Sequence, residues 1–192
     1  MPEKPKFTSG QVKFWKESKR FLNQALDAGK EEGNVPLDVD LELIYDTELK
    51  GVGFAGKVGA LFEKGRRTVY EVSLPLEGYE DRDWKTVSHE GGHVFKGHPS
   101  KGTPGEILIE RGDFLGYLER EIEAELAYRK ATKSLPFIAN DLLSNVFSCL
   151  DFFGLLPEDS FEAVKSVARK QGIPYKYIKQ LKRYLDESKF FG

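Results

Sequence analysis

The chain has 192 residues, 40% hydrophobic and 31% charged, which suits a soluble globular domain with room for a small appended subdomain. Its 29 basic and 31 acidic residues nearly cancel, so bulk charge argues neither for nor against nucleic acid. The single cysteine excludes an intrachain disulfide framework and a cysteine-rich zinc site. No apolar run reaches transmembrane length and the first residues lack a signal-peptide core, so a cytoplasmic protein that does not enter membranes is expected.

Residues 9–30 read as an amphipathic helix, with Val12, Trp15, Leu22, Ala25 and Leu26 near helical spacing. Thr8 and Gln11 form a capping-box pair at its start, and Gly29 and Gly33 mark its end. Val39, Leu41, Leu43 and Tyr45 alternate with Asp40 and Glu42, the period of a half-buried strand. After the glycines at 51, 53, 56 and 59, two short strands flank residues 63–66 as a hairpin. The second carries Tyr70, Val72 and Leu74 on one face and offers an edge to which an extended peptide could add. A helix follows with Trp84, Val87, Gly91 and Val94 on its apolar face. Residues 99–104 read as a surface loop and 107–109 as a short extended piece. A long helix over 113–133 has a core face of Phe114, Leu115, Leu118, Ile122 and Leu126. An apolar helix over 138–153 holds Cys149, read as a buried inert thiol, and ends at Gly154. Residues 159–171 and a helix running to Leu185 form a pair turning at Gly172-Ile173-Pro174.

His89-Glu90-Gly91-Gly92-His93 carries the chemistry. Residues four apart share a helix face, so both imidazoles can grip one ion from the same side, and at 100° per residue they project away from the apolar face. Glu90 is placed to act on a water that the ion has made acidic, taking its proton and later delivering it to a leaving amine. Two adjacent glycines within a helix cost about 1 kcal/mol each relative to alanine. Gly91 lies on the apolar face, where close packing of another element accounts for it. A catalytic zinc normally takes a third protein ligand and keeps one open position. His98 falls roughly a third of a turn off the ligand face. Carboxylates are plentiful over residues 119–125, where Glu119 and Glu123, four apart, can face a neighbouring helix.

At His89 to His93, His98-Pro99 and Glu121-Ile122-Glu123-Ala124, the chain resembles the ImmA/IrrE family of metallopeptidases, over roughly residues 39–185. It differs in Gly91, where the family favours leucine, in Ala127-Tyr128, and in a His-Pro pair one residue later. The resemblance implies an α+β zincin fold, zinc held by His89, His93 and Glu123, and limited proteolysis, often of a DNA-binding repressor. The sheet is expected to be small and mostly antiparallel, packed with helices, with Tyr128 a candidate oxyanion donor.

Two regions are expected: a metallopeptidase domain over 1–156, and a helix-turn-helix-like subdomain over 157–192. Residues 160–192 carry eight basic and three acidic side chains, a net charge of +5, with Lys176, Lys179 and Lys182 or Arg183 along one stripe. Such a pair can present its second helix to a DNA groove, but the shape alone does not establish DNA contact. A solvated face on a pair that packs against the peptidase is the favoured reading. The expected function is therefore a zinc endopeptidase cutting a protein substrate, a helix-turn-helix regulator. The alternative is a DNA-binding or interaction protein with a non-catalytic zinc site.

Overall fold

The computed structural model describes residues 8–45, 57–62, 68–74, 81–100, 108, 111–132, 146, 149–150, 153–155 and 157–188. The chain divides into two compact units, Met1–Ser100 and Lys101–Gly192. The class is α+β and mostly helical. No helix among the described residues is long and apolar enough to cross a membrane.

The first unit opens with α1 (Ser9–Glu31). The Thr8 hydroxyl accepts from the Gln11 amide while the Gln11 side chain accepts from the Thr8 amide, so two otherwise orphaned donors are satisfied reciprocally. At the other end Gly33 takes a left-handed conformation, with its own amide on the Lys30 carbonyl and the Asn34 amide on the Gly29 carbonyl, the Schellman stop. The buried face of α1 is Phe14, Ser18, Leu22, Ala25, Leu26 and Gly29. Val12, taken as apolar face from the sequence, is 41% exposed. The stripe begins instead at Phe14, whose ring packs edge-on against Trp84, 5.3 Å between centroids.

β1 (Val39–Tyr45), β2 (Lys57–Phe62) and β3 (Thr68–Leu74) form one sheet in the order β1-β3-β2. β2 and β3 pair antiparallel, as the hairpin reading requires; residues 63–67 of its turn, like Gly51, Gly53 and Gly56, lie outside the described residues. β1 pairs with β3 in parallel, Val39 opposite Thr68 through Tyr45 opposite Leu74. The sheet is thus mixed, not mostly antiparallel. The chain reverses direction from β1 to β2 and again from β2 to β3, so β3 returns parallel to β1 and enters between the other two. A second expectation changes with it. β3 is hydrogen-bonded along both sides, so no peptide can add to it; among the described residues the sheet edges belong to β1 and β2. Its burial fits a central position: Tyr70, Val72 and Leu74 are buried as read from the sequence, and so are Val69 and Ser73 on the other face.

α2 (Asp81–Lys96) packs against α1. Val87, Gly91 and Val94 are buried, as the apolar spacing requires. A β-carbon on Gly91 would lie 2.6 Å from Cε1 of Phe21, so the glycine admits the neighbouring helix's aromatic ring. One turn of 3-10 helix, His98–Ser100, follows.

In the second unit Leu108 is helical, not extended. Gly112 is left-handed and the Asp113 amide donates to the Leu108 carbonyl, as in a Schellman stop, so Leu108 belongs to a helix end; Ile107 and Ile109 lie outside the described residues. α3 (Phe114–Thr132), α4 (Pro157–Lys170) and α5 (Tyr175–Ser188) follow. One cluster joins them: Tyr117, Leu118 and Ile122 of α3, the helical Val146, Cys149 and Leu150, and Val164, Val167, Ala168, Ile173 and Ile178 of the C-terminal pair. Leu115, expected in that core, is 49% exposed. Gly172 turns the pair with positive φ, the Ile173 amide reaching the Ala168 carbonyl.

Candidate metal centre

α2 brings the two motif histidines to one face. His89 Nε2 and His93 Nε2 are 3.1 Å apart, with the rings nearly perpendicular. Two imidazole ligands on a tetrahedral zinc, at about 2.0–2.1 Å each, stand roughly 3.3 Å apart. The pair is therefore spaced as ligands of a single ion would be. His93 is buried, His89 is half-buried, and Glu90 is 6% exposed.

His98 is also buried, and its Nδ1 lies 2.8 Å from Nδ1 of His93. The sequence placed His98 off the ligand face, and it does lie apart from the Nε2 pair. It meets the opposite nitrogen of His93 instead. Local chemistry brings it back. Gly97 turns the chain with φ near 66° and packs against the Asn34 carbonyl so closely that no β-carbon fits. The Ser100 amide closes the turn on the Gly97 carbonyl, and the Tyr70 hydroxyl donates to Ser100 Oγ at 2.7 Å. Tyr70 is fully buried on the central strand, so the sheet itself anchors the turn. The glycine directly after the helix and before His98 was the available signal; the tyrosine's role was not legible.

On α3 the glutamates divide by face. Gln171 Nε2 donates to Oε1 of both Glu119 and Glu123, 3.1 Å each, and Lys170 Nζ pairs with Glu119 at 2.6 Å. Glu121 is two residues from each, so it projects roughly 200° round the helix. Burial pushes the Cys149 thiol well above its ordinary range, and the charge of Glu121 adds to the effect. Cys149 is thus the inert thiol read from the sequence. In the first unit, His89 and His93 offer two imidazole donors that could hold a metal ion. Two imidazoles so spaced are part of the donor chemistry of a catalytic zinc site, so these residues fit the ion. Glu123, implied as third ligand by the family resemblance, is engaged by Gln171. Tyr128 belongs to α3 by its backbone; its side chain lies outside the described residues.

No family model, no curated protein and no solved structure matches the chain. The functional reading therefore rests on the residues themselves.

Proposed function

We propose that the protein is a zinc-dependent endopeptidase, and that the 3.1 Å imidazole pair beside a buried Glu90 carries this reading. His89 and His93 would hold the ion, with Glu123 as the carboxylate ligand implied by the family resemblance. When bound, zinc supplies Lewis-acid polarisation of a scissile carbonyl and acidifies water. Glu90 then does the proton work: its carboxylate removes a proton from the attacking water and returns it to the departing amine nitrogen. Burial suits that task, because a carboxylate shielded from bulk water keeps its proton for the reaction. Tyr128 is the proposed oxyanion donor. An extended segment of a protein substrate can join a sheet edge, at β1 or β2. By its resemblance to the ImmA/IrrE family, the substrate we propose is a helix-turn-helix regulator in the cytoplasm, cut at one or a few sites.

The deciding experiment pairs zinc analysis with peptidase assay. Purified protein should hold one zinc per chain, and Glu90→Gln should keep that zinc while losing hydrolysis by about 10²–10⁴-fold. Full activity in Glu90→Gln, or a wild-type protein that takes up no zinc, overturns the proposal.

A second reading, an interaction or DNA-binding protein with a non-catalytic zinc site, draws support from α5. Lys176 Nζ stands 4.7 Å from the Tyr177 ring centroid and Lys179 Nζ 5.6 Å from that of Tyr175, which is 59% exposed. Basic groups interleaved with aromatic faces can bind nucleic acid or an acidic protein. A gel-shift assay with duplex DNA separates this reading from the first.

A further inference from the structure

We propose that His98 is a positioning residue: it accepts a hydrogen bond from Nδ1–H of His93 and so sets that imidazole to present a bare Nε2 lone pair to a metal ion. The inference rests on the metal-site reading of His89 and His93. The 2.8 Å approach of the two Nδ1 atoms carries it. Two ring nitrogens at that distance need one hydrogen between them, so one ring donates and the other accepts. If His93 donates, its remaining nitrogen, Nε2, has no hydrogen and is free to bind a metal. If His98 donates, a neutral His93 carries its hydrogen on Nε2, the nitrogen that faces His89 at 3.1 Å, and cannot be a ligand there. One hydrogen placement therefore serves the metal site and the other blocks it. Metal-binding imidazoles commonly donate their second nitrogen to a fixed acceptor, usually a carboxylate or carbonyl; here the acceptor is a third imidazole.

The surroundings hold His98 in that role. It is buried, follows a left-handed glycine pressed against the Asn34 carbonyl, and lies two residues before a serine bonded to the buried Tyr70. The five-residue spacing from His93 keeps it off the ligand face, and the Gly97 turn returns it to the other side of the ring. The three imidazoles thus form a chain, His89–His93–His98, with the ligand pair at one end and a fixed acceptor at the other.

The test reads the hydrogen directly. Long-range ¹H–¹⁵N NMR on the full chain, first metal-free and then with zinc, should show His93 protonated on Nδ1 in both; protonation on Nε2 in the metal-free protein overturns the proposal whether or not zinc binds. If the wild type takes up no zinc yet shows Nδ1–H, the metal-site reading fails while the hydrogen-bond assignment stands. Two variants then separate positioning from packing. His98→Asn retains an acceptor oxygen, carried on the side-chain amide close to where the imidazole Nδ1 stood, so it should keep most zinc affinity. His98→Leu, which fills the space without an acceptor, should weaken zinc affinity about 10–100-fold and alter the visible spectrum of a cobalt-substituted sample. Equal zinc affinity in the wild type, His98→Leu and His98→Asn overturns the proposal. Complete loss of zinc in both variants with the fold intact also overturns it, because His98 would then be a ligand.

Discussion

The glutamates of α3 show how much one residue's position round a helix can decide. Glu119 and Glu123 share the Gln171 amide, whereas Glu121 lies on the other side of the helix, where its charge helps push the Cys149 thiol up. Glu123→Ala should weaken zinc binding, while Glu119→Ala and Glu121→Ala keep it, as read by metal competition. Zinc loss in Glu119→Ala or Glu121→Ala, with Glu123→Ala unaffected, would move the third ligand off the register implied by the family resemblance. Ser18 offers a stability test. It is fully buried on α1 and its hydroxyl has no hydrogen-bond partner among the described residues. Removing an unsatisfied buried polar group stabilises, so Ser18→Ala should raise stability by about 1 kcal/mol in denaturant unfolding. A loss of stability there would show that the hydroxyl is satisfied in solution. Cys149, buried with its thiol pushed up, should resist alkylation at about pH 8 in the folded protein and react only on unfolding.

At the scale of the element, the helix ends were the most legible feature of the chain. Thr8 with Gln11, then Gly33, Gly154 and Gly172, stand where local backbone chemistry needs a cap or a left-handed residue, and that need is written within a few neighbouring positions. Faces were legible where the stripe was regular, as in α2 with Val87, Gly91 and Val94. They were misread where apolar residues lie on several sides, as with Val12 on α1 and Leu115 on α3. Thr8→Ala should cost about 1 kcal/mol through loss of the cap. Gly91→Leu should destabilise the first unit through collision with Phe21. Gly91→Leu paired with Phe21→Ala should recover part of that loss. Thermal melts of the two single variants and the double variant decide it; additive losses would exclude the contact.

For the whole molecule, the C-terminal helix pair is part of a core. Val164, Val167, Ala168, Ile173 and Ile178 share one cluster with Leu118 and Ile122. Deleting residues 157–192 should thus disrupt folding of the second unit, lowering cleavage of a short peptide as well as of a protein partner. A docking role for the basic surface is better isolated by charge reversal. Lys176→Glu with Lys179→Glu, both exposed, should leave peptide hydrolysis and melting temperature unchanged while slowing cleavage of a regulator carrying an acidic patch. An unchanged rate on the protein partner would remove this face from recognition.

Read alone, the sequence placed α1 to α5 with the stops at Gly33 and Gly172, though not the helix end at Leu108, and it placed the hairpin of β2 with β3, the pairing of His89 with His93, and Glu90 beside them. All of these depend on spacing within a few residues, where backbone geometry and side-chain period act directly. Tertiary structure alone decided that β3 runs parallel to β1 and occupies the middle of the sheet, that Glu121 and Glu123 serve different neighbours, and that His98 turns back onto His93. Those outcomes depend on partners distant in the chain: β1 for β3, Gln171 for Glu123, and Tyr70 with Asn34 for the turn that holds His98. A local pattern states which face of an element is apolar, but the neighbour that meets that face is set by packing.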